Sequence, residues 1–104
     1  MSFRRARFGD LIERQLALFV EDDGDLLEDV DAALARYDGA DRDEAEELFG
    51  DYQLALEAAA ERLAELRDAY GRTLAGADAE RYEEEFNGAV SRRWPALTAA
   101  IEEA

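Results

Sequence analysis

The sequence contains no cysteine, no histidine and no lysine, and it has one proline in 104 residues. The lack of cysteine excludes disulfides and thiolate metal sites. The lack of histidine removes the usual general base and the commonest transition-metal ligand. The lack of lysine excludes Schiff-base and Ser–Lys chemistry, so the few serine and threonine hydroxyls have no activating partner. We therefore expect a protein that is not an enzyme and that carries no cofactor.

Long apolar runs and phosphate-binding glycine motifs are also missing. No apolar run approaches the ~20 residues that a transmembrane helix needs. Neither Gly-x-x-x-x-Gly-Lys nor Gly-x-Gly-x-x-Gly occurs. The basic stretch at residues 1–7 is not followed by the apolar segment of a signal peptide. We expect a cytoplasmic protein that does not interact with membranes.

Positive charge is scarce: 12 arginines face 27 acidic residues, which gives a net charge of −15. One interpretation is a solvated acidic surface in a host with GC-rich codons or high internal salt. The other is a polyanionic surface that docks on a basic protein or imitates nucleic acid. Direct binding of nucleic acid is not expected in either case, because the acidic body would repel phosphates.

The region from Asp43 to Leu74 carries the strongest pattern in the chain. Its apolar and aromatic residues are separated by alternating steps of four and three residues, which is the heptad of a long amphipathic helix. The stripe consists of Ala45, Phe49, Tyr52, Leu56, Ala59, Leu63, Leu66 and Tyr70. Three flanking positions, Leu48, Ala55 and Ala69, are also apolar, so the stripe is wide enough to meet more than one helix. This pattern predicts a helix over residues 42–75.

The same step pattern runs through the first third of the chain. It joins Ile12, Leu16, Phe19, Asp23, Leu26, Val30, Ala33 and Tyr37. A loop would restore this register only by accident, so we predict one helix over residues 3–38. Its weak point is Asp23–Gly24, where a carboxylate falls on the apolar face and is followed by an interior glycine.

The last third carries a looser apolar stripe that predicts a shorter helix over residues 78–103. Pro95 removes a helical hydrogen bond and disfavours helix at Trp94, so we predict a kink or a break there. The fold class is then all-α, with one domain over residues 1–104 built as an antiparallel up-down-up bundle of three long helices. The shorter third helix would leave part of the groove between the first two helices uncovered.

The acidic residues around Gly24 are weak candidates for a divalent-metal site. They are Asp22, Asp23, Asp25 and Asp29. An EF-hand alignment on Gly24 places Phe19 and Val30 at positions that need carboxylates, so this is no standard calcium loop. The ferritin-like arrangement needs histidines that the chain does not have.

No motif identifies a family, and the patterns favour a small acidic helical protein that acts by helix packing. We expect it to form a homodimer or to bind another helical protein. The candidate interface residues are Phe49, Tyr52, Leu56, Leu63, Leu66, Tyr70 and Trp94. Phe49→Asp or Leu63→Asp is expected to abolish assembly. The alternatives are a polyanionic nucleic-acid mimic or inhibitor of a basic protein, and a carboxylate-based metal binder.

Overall fold

A computed structural model describes residues 7–104, and this part of the chain is helical, with no strand. Four α-helices pack together. They are α1 (Gly9–Asp38), α2 (Ala45–Gly71), α3 (Gly76–Arg93) and α4 (Thr98–Glu103), with a 3-10 turn at Pro95–Leu97 between the last two. The all-α prediction is confirmed. Residues 3–6, where the first helix was predicted to begin, lie outside the described residues.

Helix α1 is continuous in sequence but kinked at Asp23, whose φ of −124° and ψ of 22° are not helical. The kink lies at the predicted weak point. It is not required by the packing of Gly24, because a Cβ added there would meet no atom within 4 Å. The carboxylate of Asp23 instead accepts a hydrogen bond from Arg62 Nε of α2 at 3.2 Å. The kink thus resolves the problem of an acid on the apolar face by placing it beside a cation.

The predicted interruption near Trp94 is confirmed, and it is a break that divides the predicted third helix in two. Helix α3 ends before Trp94, which has a φ of −133° and a ψ of 81°. The 3-10 turn comes next with Pro95 at its start, and α4 continues from Thr98. The break occurs where proline lacks an N–H and disfavours helix in its predecessor. Residues 7–104 therefore contain four α-helices where the sequence predicted three.

The core occupies one half of an elongated molecule that measures 53 × 32 × 24 Å. Before the kink, α1 contributes Ile12, Leu16 and Phe19 to it. The other fully buried residues of this half are Ala59, Ala60, Leu63, Tyr82, Phe86, Val90, Leu97 and Ile101. Beyond the kink, α1 has only Val30 and Ala33 as buried residues, and described residues 45–58 of α2 have none. The far half of the α1–α2 hairpin therefore has little core of its own.

A buried arginine holds α2, α3 and α4 together. Arg67 of α2 is 3% exposed. It donates to Asp68 Oδ1 at 2.8 Å, to Asn87 Oδ1 of α3 at 2.9 Å, and to the main-chain oxygens of Ile101 and Ala104 at 3.2 and 2.9 Å. Carbonyls at the end of a helix need donors, and the guanidinium supplies them for α4. A helix of six residues has almost no stability alone, so this contact and the burial of Ile101 in the core fix its position.

Glu85 of α3 caps the start of α1. Its carboxylate accepts hydrogen bonds from the backbone N–H of Phe8 at 2.8 Å, from the backbone N–H of Arg7 at 3.2 Å and from Arg81 Nε at 2.9 Å. Burial alone would raise the pKa of Glu85, but these three donors outweigh it and lower the pKa below its ordinary value of 4.5. The cap is therefore strongest when Glu85 is ionised.

This cap predicts a pH-dependent loss of stability. Because the folded-state pKa is lowered, the contribution of Glu85 is complete above about pH 4.5 and is lost as the pH falls through the folded value. Glu85→Gln should reduce the free energy of unfolding by about 1–2 kcal/mol at pH 7 and by much less at pH 3. Urea denaturation at the two pH values measures the difference. Glu84→Gln, at an exposed neighbour, is the control; an equal loss at both pH values for Glu85→Gln would contradict the prediction.

Candidate protein-interaction surface

The far end of the α1–α2 hairpin carries three aromatic rings, Tyr37, Phe49 and Tyr52, which we call the aromatic end. The ring centroids of Tyr37 and Phe49 are 5.2 Å apart, and those of Phe49 and Tyr52 are 6.4 Å apart. Phe49 is 40% exposed, and both tyrosines are half-buried. The three rings form a continuous apolar patch at the surface of the molecule.

The aromatic end arises directly from the heptads of α1 and α2. Tyr37 is the last stripe residue of α1, and Phe49 and Tyr52 are among the first of α2, so the short turn between the helices brings Tyr37 next to Phe49. Asp41 Oδ1 accepts a hydrogen bond from the backbone N–H of Glu44 at 3.1 Å and orders this turn. The two stripes thus extend past the core and keep their apolar faces toward each other.

The part of the chain that carries this patch is rich in acidic residues. Residues 25–51 contain eleven acidic side chains and two arginines, Arg36 and Arg42. Within the described residues, none of the ion pairs involves a residue of this range. The aromatic end therefore lies in a field of uncompensated negative charge, which acts on any molecule that approaches it.

The seven predicted interface residues are divided between two parts of the molecule. Only Phe49 and Tyr52 lie at the aromatic end. Leu63 is 0% exposed and belongs to the core, and it is not available to a partner. The half-buried members that pack against the core are Tyr52, Leu56, Leu66, Tyr70 and Trp94.

Two of these aromatics have intramolecular partners. The ring of Tyr70 lies 4.9 Å from that of Tyr82, and the ring of Trp94 lies 5.7 Å from that of Phe19. Arg93 also covers Trp94, with its guanidinium carbon 4.9 Å from the ring centroid. These contacts account for Tyr70 and Trp94 within one chain.

The structure does not gather the weak metal candidates into one group of ligands in the described part of the chain. Among residues 7–104 there is no group of three or more acidic side chains placed to hold a metal ion. Asp23 is engaged by Arg62, and the hydrogen bond and charge of Asp23 raise the pKa of that guanidinium. Asp22, Asp25 and Asp29 lie on the same stretch of α1 without converging with other ligands. No observation favours the metal-binding alternative.

The basic N-terminal stretch is described only from Arg7 onward, so Arg4 and Arg5 lie outside the described residues. Arg7 Nη1 lies 2.6 Å from Asp78 Oδ1, and Phe8 packs edge-on against Tyr82 with centroids 5.4 Å apart. Both described residues therefore make intramolecular contacts, which hold the start of α1 against α3.

Sequence reasoning missed two residues that matter. Tyr37 completes the aromatic end; its signal was its place as the last stripe residue before the turn. Arg67 had a weaker signal, an arginine beside the apolar stripe of α2.

No helix in the described range is long and apolar enough to cross a bilayer. Compared with known proteins, the chain matches no family model, no curated protein and no solved structure.

Proposed function

We propose that this chain is a non-catalytic helical interaction protein whose aromatic end packs against a helix of a second polypeptide. When no other partner is present, a second copy of the chain fills this role, so we propose that the protein alone forms a homodimer. The observation that carries the proposal is Phe49: a phenylalanine on the apolar stripe that is 40% exposed between two tyrosines. Exposed apolar patches that continue a packing stripe are typical of interaction sites.

The contact pattern supports the finer architecture that we propose, an antiparallel up-down-up arrangement of α1, α2 and α3 in one domain. Tyr37 pairs with Phe49 and Asp23 pairs with Arg62, so residues later in α1 meet residues earlier in α2. Tyr70 pairs with Tyr82 and Arg67 with Asn87 in the same sense. Beyond the core the hairpin is then a layer of two helices, and two such layers can form a four-helix bundle.

The expected affinity is modest. Burying a phenylalanine or a comparable side chain contributes about 1.5–3 kcal/mol, and association itself costs at least about 4 kcal/mol in lost freedom of motion. The net binding energy of two copies is the small difference between these opposing terms, so we expect a weak dimer. Like charges on both copies oppose the contact at low ionic strength, and salt screens them.

The proposal predicts a dimer that salt strengthens. Light scattering after size exclusion should give the mass of a dimer in about 1 M salt and a smaller mass-average at about 0.05 M, because the Debye length falls from roughly 14 Å to roughly 3 Å. Phe49→Gln should be a monomer in both conditions. Leu54→Gln is the matched control, since Leu54 is 64% exposed on the same helix but outside the stripe. A wild-type monomer at both salts and at several hundred micromolar, or equal effects of the two substitutions, would overturn the homodimer.

The acidic range 25–51 supports the runner-up, a polyanion that imitates nucleic acid or inhibits a basic protein. That function depends on charge and not on the aromatic rings. It predicts binding to a basic protein that weakens steeply with salt and is unchanged in Phe49→Gln. Salt and the Phe49→Gln substitution therefore distinguish the two functions. Association through the aromatic end should strengthen with salt and be lost in Phe49→Gln, whereas binding by the polyanion should weaken with salt and be unchanged in Phe49→Gln.

A further inference from the structure

We propose that the preferred partner of the aromatic end is a basic amphipathic helix of another protein, with arginine or lysine on both sides of an apolar stripe. This inference rests on the proposed function, because it names the partner of the same surface. It differs from the homodimer in one respect: the partner brings positive charge to a surface where a second copy brings negative charge.

Charge is the first argument. The nine net negative charges of residues 25–51 have no ion-pair partner in the described part of the chain. A second copy doubles this charge at the contact, whereas a basic helix neutralises it. Complementary potential speeds encounter and disfavours like-charged competitors. At moderate salt, the same apolar burial is therefore worth more with a basic partner than with a second copy.

The shape of the surface is the second argument. The aromatic end lies along the seam of two packed helices, and the stripe residues Phe49, Tyr52 and Leu56 run along it at helical spacing. A surface of this kind accepts the apolar face of a helix, whose side chains repeat at the same spacing. Strand addition has no role here, because the backbone groups of α1 and α2 are used within their own helices.

The aromatic rings are the third argument. Exposed faces of phenylalanine and tyrosine attract guanidinium and ammonium groups. The chain itself uses this contact twice, with Arg93 over Trp94 at 4.9 Å and Arg7 over Phe8 at 5.6 Å. At the aromatic end, the basic side chains of a partner can contact the aromatic rings and also the nearby carboxylates. The apolar residues of the partner cover Phe49.

The test uses two synthetic 18-residue helical peptides with the same leucine and phenylalanine stripe, one on a lysine and arginine background and one on a glutamate background. Fluorescence anisotropy of labelled peptide at about 0.1 M salt reports binding to the full chain. The basic peptide should bind at least tenfold more tightly than the acidic peptide. Phe49→Gln should weaken it about tenfold, and the matched Leu54→Gln should not.

Charge reversal locates the contact. Glu46→Arg, one turn before Phe49 on α2, should weaken the basic peptide severalfold, and Glu61→Arg, an exposed glutamate further along α2, should have a much smaller effect. Circular dichroism confirms that each variant is folded. The basic peptide should also displace the second copy and lower the mass of any dimer in light scattering.

The two proposals fail in different ways. Equal affinity for both peptides, or binding of the basic peptide that Phe49→Gln leaves unchanged, would overturn the basic-helix partner and would leave a Phe49-dependent dimer standing. Absence of a dimer at any salt, together with binding of the basic peptide that depends on Phe49, would overturn the homodimer alone. Absence of both would overturn helix packing at the aromatic end.

Discussion

Replacing Leu63 by aspartate is expected to unfold the protein. Leu63 is 0% exposed in the middle of α2 and belongs to the core, which also contains residues of α1, α3, the 3-10 turn and α4. An unpaired carboxylate in such a site costs several kcal/mol, and the loss of the leucine side chain adds about 2–5 kcal/mol. The sum approaches the whole stability of an ordinary domain, about 5–15 kcal/mol. Circular dichroism at about 25 °C should show loss of most of the helical signal.

Phe49→Asp, in contrast to Leu63→Asp, is expected to leave the protein folded. The sequence suggested that both substitutions abolish assembly, but the structure separates their causes. Phe49 is 40% exposed, so its aspartate is solvated and the free energy of unfolding should fall by about 1 kcal/mol or less. Leu63→Met, which keeps the volume, should cost less than about 1.5 kcal/mol. A folded Leu63→Asp, or an unfolded Phe49→Asp, would contradict the assignment of core and surface along α2.

Replacing Arg67 by alanine should be the other severe change. Its guanidinium is 3% exposed and satisfies the side chains of Asp68 and Asn87 and two main-chain oxygens at the end of the chain. Removing one partner of such a buried charged network costs about 3–5 kcal/mol, because the remaining groups lose their donors inside the protein. Lysine should not rescue it, since one ammonium cannot span acceptors on three helices. Urea denaturation measures the loss.

Arg62→Ala is the matched control for this prediction. Arg62 lies on the same helix and also pairs with an acid across a helix boundary, but its side chain is 40% exposed, so its removal should have a far smaller effect. Amide exchange of residues 98–103 gives a second readout. It should accelerate in Arg67→Ala at denaturant concentrations where α1 and α2 remain protected. Similar stability of the two alanine variants would show that α4 is held by other contacts.

The helices could be predicted because they depend on local features of the sequence, namely apolar periodicity and single residues that interrupt a helix. The heptads determine which residues face inward in α1 and α2, and both interruptions fall where a single residue works against the helix, Asp23 in one case and Pro95 in the other. The position of α4 after the break at Pro95 was not predictable. The path of the chain there depends on Arg67, an arginine beside the stripe whose acceptors include main-chain oxygens that the sequence pattern does not reveal.

The candidate site was predicted only in part for a related reason. A heptad shows that Phe49 and Leu63 share one face of α2, but it does not show which helix covers each of them. The packing of the helices decides this: Leu63 is 0% exposed and Phe49 is 40% exposed. Tyr37 was missed because its role depends on the angle at which the turn at residues 39–44 joins the two helices.

The kink at Asp23 divides the molecule mechanically. Trp94, where α3 ends, packs on Phe19, one turn before the kink, so the two interruptions lie at nearly the same level. Beyond that level the hairpin projects past the core, and the segment of α1 from Asp23 to Asp38 is about 22 Å long. A rotation of about 10° at Asp23, with α2 bending alongside, would carry the aromatic end about 4 Å sideways and leave the core half in place. The Asp23–Arg62 pair joins α1 to α2 at the pivot itself, so it keeps the two helices together there while the far end moves.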